Sequence, residues 1–145
     1  MRIYLDHCCY NRPFDEQTQL RIALETQAKL FIQTLIIDDR LELVWSYIST
    51  LENYNNPYEN RRLAIDVFSK YAKQTVVEND IIIKSARKIG SAGLKPADAL
   101  HLACAIEGEA DYFITTDDEI LKYETAKIKI IDPIQFVKTW EGIKK

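Results

Sequence analysis

Short apolar runs alternate with longer stretches of helical periodicity along this chain. That alternation restricts the fold more than any other feature. Residues 2–5, 41–45, 75–77, 112–115 and 127–131 read as strands. Between them, apolar residues recur at spacings of three and four. In residues 16–36, Leu20, Leu24, Ala28, Phe31 and Leu35 mark one helical face. Residues 46–54 predict a short helix ended by Asn55-Asn56. Asn56 before Pro57 reads as a cap followed by a first-turn proline, opening a helix to about residue 72 with Leu63, Val67 and Tyr71 facing inward. Further helices are expected over residues 80–89, 96–107 and 118–123. A closing helix after Asp132-Pro133 carries Phe136, Val137 and Trp140. Strands alternating with helices give an α/β fold: a mainly parallel sheet covered on both faces, with ligands bound outside the carboxyl ends of its strands.

Composition removes several function classes. The chain has 145 residues, enough for one core without staples, and 47% of them are hydrophobic, which excludes a disordered chain. No apolar run approaches the roughly 18 residues of a membrane span. Asp6 interrupts the N-terminus too early for a signal peptide, so a cytoplasmic protein is expected. Three cysteines, Cys8, Cys9 and Cys104, cannot all pair and have no zinc spacing, so they read as small buried hydrophobes. A net charge of −3 argues against a generally basic, sequence-blind nucleic-acid binder. It leaves room for an enzyme that meets a phosphodiester through bound cations.

Two of the apolar runs end in acids. Arg2-Ile3-Tyr4-Leu5 stops at Asp6, and Tyr112-Phe113-Ile114-Thr115-Thr116 stops at Asp117-Asp118. Both carboxylates therefore sit past the carboxyl end of a strand, where one crevice can hold them. Glu52 lies on the short helix after the second strand. Asp98 lies in the first turn of an otherwise apolar helix. Each has an ordinary explanation as a turn residue, helix cap or solvated acid. Their shared placement is the informative part. At 4 Å, two like charges repel by about 4 kcal/mol at an effective dielectric near 20. Four such groups must take up protons or hold a cation. Hard oxygen donors without a His or Cys cluster suit Mg²⁺ or Mn²⁺.

At these residues the chain resembles the PIN-domain ribonucleases, including the toxins of VapBC toxin–antitoxin pairs. The resemblance runs over nearly the whole chain, residues 1–145, as a single PIN-like domain. It rests on Tyr4-Leu5-Asp6, on Glu52 in Ser49-Thr50-Leu51-Glu52-Asn53, on Asp98-Ala99-Leu100-His101-Leu102-Ala103 and on Thr115-Thr116-Asp117. It implies a three-layer α/β/α sandwich and Mg²⁺- or Mn²⁺-dependent cleavage of RNA by Asp6, Glu52, Asp98 and Asp117, with the Thr115 hydroxyl orienting the acids. It also implies a cognate antitoxin protein and a homodimer, to which the aromatic residues Tyr54 and Tyr58 are suited. One residue departs from the pattern: many relatives carry Thr or Ser directly after the first Asp, and here His7 stands there.

Other residues carry weaker signals. His7 and His101 read as hydrogen-bonded structural histidines, with metal binding or proton transfer as the functional alternative. Asp118 lies one place beyond the motif. Arg12 and the cluster Lys84, Arg87 and Lys88 could meet RNA phosphate, although such clusters are usually solvated faces. Two other acid-pocket enzymes fit poorly. A haloacid-dehalogenase-type phosphatase needs a second Asp where Cys8 stands. A phospho-receiver needs a Lys where Asp132-Pro133 stands. A non-catalytic interaction module on a PIN scaffold remains as the rival class.

Overall fold

In the computed structural model, which describes residues 1–144, five parallel strands form one sheet. They are β1 (Arg2–Leu5), β2 (Glu42–Ser46), β3 (Gln74–Val76), β4 (Tyr112–Ile114) and β5 (Lys129–Ile131), in the order β3-β2-β1-β4-β5. The chain moves outward from β1 to β3, then returns to the other side of β1 for β4. The order thus reverses between β1 and β4, the position where open parallel sheets form a crevice at their carboxyl edge.

Helices cover both faces, so the expected three-layer α/β/α sandwich is the fold. Side chains alternate along β1. Ile3 and Leu5 join a core with α2 (Leu20–Ile37) and α8 (Pro133–Lys144). Tyr4 points the other way, into a core with α5 (Asp80–Ser91) and α6 (Pro96–Glu107). The bounds of α6 are those read from the sequence: Pro96 opens it, and Gly108 ends it against the sheet. A Cβ on Gly108 would lie 2.7 Å from Val44 and 3.0 Å from Val76, so glycine lets the end of α6 approach β2 and β3 closely.

Several local expectations fail, each for a visible reason. Residues 7–14, to which the sequence assigns no element, are not irregular. They make a short helix, α1 (His7–Asn11), and a 3₁₀ turn, Arg12–Phe14. The inner face of α2 is rotated from the expected stripe: Ala28, Ile32, Leu35 and Ile36 are buried, while Leu20 is 74% exposed. Glu25 and Lys29 share that inner face because tertiary partners accept them. Arg12 and Arg21 pair with Glu25. The Lys29 ammonium lies 5.6 and 5.2 Å from the ring centres of Tyr10 and Phe68. In α4 (Glu59–Ser69), Ile65 and Phe68 are buried, while Leu63 and Val67 face solvent, as does Tyr71 just beyond the helix. Asn56 does not cap that helix. Its side-chain oxygen accepts from the Tyr58 N–H at 3.1 Å, an Asx turn that leaves Pro57 outside the helix.

Candidate active site

Asp6 is the first acid, and its environment is highly organised. Its N–H donates to the Ile114 carbonyl at 2.9 Å, continuing the β1–β4 ladder past both strands. One carboxylate oxygen accepts from the His7 N–H at 2.9 Å and starts α1. The other accepts from the Thr115 hydroxyl at 2.8 Å, and the Cys8 thiol lies 3.4 Å away. The side chain is buried.

Thr115 then links the first acid to the last. Its Oγ1 donates to Asp6 and accepts from the Asp117 N–H at 3.1 Å. Asp117 caps α7 (Asp118–Leu121) by accepting from the Glu119 N–H at 2.8 Å. The loop between β4 and α7 is braced from outside. Arg21 donates to the Thr116 carbonyl and forms a two-pronged pair with Asp118, at 2.9 and 3.1 Å. Asp118 is thereby committed to Arg21, which holds its carboxyl below the usual range. Arg12, a candidate for phosphate, is likewise committed to Asp15 and Glu25, each at 3.0 Å. Lys84, Arg87 and Lys88 lie exposed on α5, as a solvated face does.

Asp98 stands in the first turn of α6, half-buried. Burial raises its carboxyl pKa, and the charges of Asp6 and Asp117 raise it further. Those three acids share one electrostatic neighbourhood. Among the described residues, no Lys or Arg side chain pairs with any of them.

Glu52, on α3 (Tyr47–Tyr54), has a different partner. Its carboxylate lies 2.8 Å from His101 Nε2 and 3.7 Å from His7 Nδ1. His101 is buried on α6, and its other ring nitrogen meets the Tyr4 hydroxyl. Tyr4 in turn reaches Ser46 Oγ at 2.6 Å and Ser49 Oγ at 3.2 Å. Burial alone would lower the His101 pKa, but the Glu52 hydrogen bond and the charges of Asp6, Glu52 and Asp98 raise it overall. Burial would raise Glu52, yet His101 and His7 lower it overall. Both shifts favour a carboxylate–imidazolium pair. As imidazolium, His101 donates from both nitrogens, and Tyr4 is left to donate towards the serines. Burial pushes the Tyr4 hydroxyl pKa well up, consistent with a neutral phenol.

All four expected acids therefore lie at the carboxyl edge of the sheet. Asp6, Asp98 and Asp117 interact electrostatically, while Glu52 is held beside them by His101. No group of three His, Cys, Asp or Glu side chains among the described residues is close enough to enclose one ion. Sequence reasoning missed Tyr4, Ser46, Ser49 and Cys8. A tyrosine inside an otherwise aliphatic central strand was the available signal, since its buried hydroxyl must find a partner. Cys9 and Cys104 are buried as expected, but half-buried Cys8 touches both Asp6 and Thr115, at 3.4 and 3.5 Å.

A parallel sheet with order 3-2-1-4-5 and acids gathered at its switch point defines an α/β protein with an acidic edge site. The PIN domain model matches residues 3–126, and the chain belongs to that family, whose members are generally nucleases. The fold is similar to that in a crystal structure of VapBC2 from Rickettsia felis bound to a DNA fragment from their promoter. The TM-score is 0.58 at 12% identity, covering 90% of this chain and 97% of that one. No curated protein matches the chain. No helix among the described residues is long and apolar enough to cross a membrane.

The Glu52–His101 pair predicts a pH window. A lowered Glu contributes stability above its ordinary value of 4.5, lost as pH falls through its folded pKa. A raised His contributes below its ordinary value of 6.5, lost as pH rises through its folded pKa. The pair is therefore fully formed between those two values. Urea unfolding in EDTA should show Glu52→Gln less stable than wild type by about 2 kcal/mol within that window. The difference should shrink in both more acidic and more alkaline buffer. A difference independent of pH would contradict the ion pair.

Proposed function

We propose that this chain is a metal-dependent endoribonuclease that hydrolyses RNA phosphodiester bonds as the toxin of a toxin–antitoxin pair. The observation that carries the reading is Asp98. Its half-buried carboxylate feels the charges of Asp6 and Asp117 more strongly than those of His101 and Lys95, and among the described residues no Lys or Arg is paired with it. Carboxylate oxygens that repel one another and lack a protein cation form a donor set suited to Mg²⁺ or Mn²⁺. Mg²⁺ needs only one or two direct carboxylates because it keeps several waters, so acids set apart from one another are compatible with it.

In this reading Asp6, Glu52, Asp98 and Asp117 hold the cation. Thr115 fixes the Asp6 carboxylate and the Asp117 backbone, and His101 fixes Glu52. When bound, the cation makes water a better nucleophile and neutralises charge on the phosphate. No side chain need attack. Cys9 and Cys104 are poorly suited to do so: Cys8 and burial raise the pKa of Cys9, and burial pushes Cys104 up to about 12. RNA cleavage is expected with Mg²⁺ or Mn²⁺ and should stop in excess EDTA. Asp98→Asn should lower it by at least about 100-fold while the far-ultraviolet circular dichroism stays unchanged. Undiminished cleavage by that variant, or by wild type in EDTA, would contradict the mechanism.

The separation of the acids favours a second reading, a non-catalytic interaction module. The same assay distinguishes the two, because a module cleaves nothing with either metal. Partner binding belongs to the proposal in both cases. Exposed Leu20, Leu24, Leu63 and Val67 are apolar residues beyond what the core uses. They support a homodimer and a small antitoxin protein as occupants. Light scattering at high micromolar concentration should give twice the chain mass, and a monomer would overturn the dimer.

A further inference from the structure

Beside the acids lies an open cleft of about 430 Å³, between α1, the end of α3 and the start of α4. That volume is within the range of small-ligand sites, roughly 300–1,000 Å³. His7, Glu52, Tyr58 and Arg61 are among the residues that line it. Tyr58 is unusual for a residue in a tied loop, because its ring remains 58% exposed. The Arg61 guanidinium lies 4.4 Å from the ring centre and donates to the Phe14 carbonyl at 2.8 Å, which holds the ring's neighbour in place.

The loop is also fixed relative to the acids. Asn56 accepts from the Tyr58 N–H and donates to Asn11 Oδ1 at 3.3 Å. Asn11 donates to the His7 carbonyl at 3.2 Å, one residue from Asp6. Three side-chain hydrogen bonds thus connect the Tyr58 backbone to the helix that begins at the first acid. The charge of Arg61 is already shared with Asp15, 3.4 Å away, and Asp15 also takes Arg12. A phosphate clamp would leave that guanidinium free. What the cleft leaves available is a flat, exposed, pre-positioned aromatic surface.

We propose that this cleft is a base-docking subsite, in which an unpaired RNA base next to the scissile phosphate stacks on Tyr58. The inference rests on the nuclease reading and adds to it a positioning residue, Tyr58, whose ring holds the base beside the acids. Unpaired bases stack on aromatic side chains irrespective of base identity, and stacking responds little to salt, whereas phosphate contacts weaken steeply with it. The substrate therefore approaches the acids across Glu52 and His7.

The test measures fluorescence anisotropy of a labelled, unstructured RNA 12-mer with the Asp98→Asn chain, alone and combined with changes at Tyr58. Tyr58→Ala should weaken binding about tenfold. Tyr58→Phe should bind like the parent, because it keeps the ring. The loss should be the same at low and high salt. It should also shrink when probes with abasic positions are used. Equal affinity of Tyr58→Ala and its parent would overturn the subsite while leaving the nuclease reading intact, and would leave the exposed ring to a protein partner. Absence of RNA binding by every variant would overturn both the reading and the inference.

Discussion

The hydrogen bond from the Thr115 hydroxyl to the Asp6 carboxylate, 2.8 Å long, holds together the place where the sheet changes direction. The backbone ladder is carried past β1 and β4 by the Asp6 N–H to the Ile114 carbonyl and the Thr115 N–H to the Ile131 carbonyl. Those bonds and the Thr115 side chain fix the ends of three adjacent strands. A buried carboxylate is costly without donors. Asp6 obtains them from His7 and Thr115, with the Cys8 thiol close by. From this arrangement follow the start of α1, the path of residues 115–117 and the position of Asp117.

The basic residues show what the edge site lacks. The chain has 19 Lys and Arg, yet among the described residues none forms an ion pair with Asp6, Asp98 or Asp117, and Arg12 and Arg21 brace the scaffold around them. Arg21 ties α2 to Thr116 and Asp118, and Arg12 ties the turn after α1 to Glu25. Among the described residues, Glu52 is the one of the four acids in a close ion pair, with His101, while Asp98 feels His101 and Lys95 only at longer range. The resulting imbalance at Asp6, Asp98 and Asp117 is electrostatic energy that folding tolerates and a cation would relieve. Acids arranged at such a cost suggest function more strongly than stability, since capping alone needs no second carboxylate nearby.

Much of this was legible in the sequence because it rests on local signals. Pro96 opened α6 through backbone geometry, and apolar runs ending in Asp6 and Thr115-Thr116-Asp117 located the strand ends. The order of short apolar runs and helices was enough for the layers. The face of α2 was not legible, because Glu25 and Lys29 are buried through Arg12, Arg21, Tyr10 and Phe68. Periodicity treats such residues as solvent-facing. The five-residue α1 is too short to show a period. The Tyr4–His101–Glu52 chain joins positions 49 and 97 residues apart, and only the folded chain brings them together.

Thermal unfolding with and without Mn²⁺, in the absence of RNA, tests the central claim that the carboxyl edge is an unneutralised cation site. A ligand that binds only the folded state stabilises it, by about 2.7 kcal/mol at 100 times its Kd. Mn²⁺ should raise the melting temperature of the wild-type chain and leave that of Asp98→Asn nearly unchanged. Without metal, Asp98→Asn should melt no lower than wild type, because one repelling charge has gone. Equal shifts in both proteins, or no shift in wild type at millimolar Mn²⁺, would contradict the account.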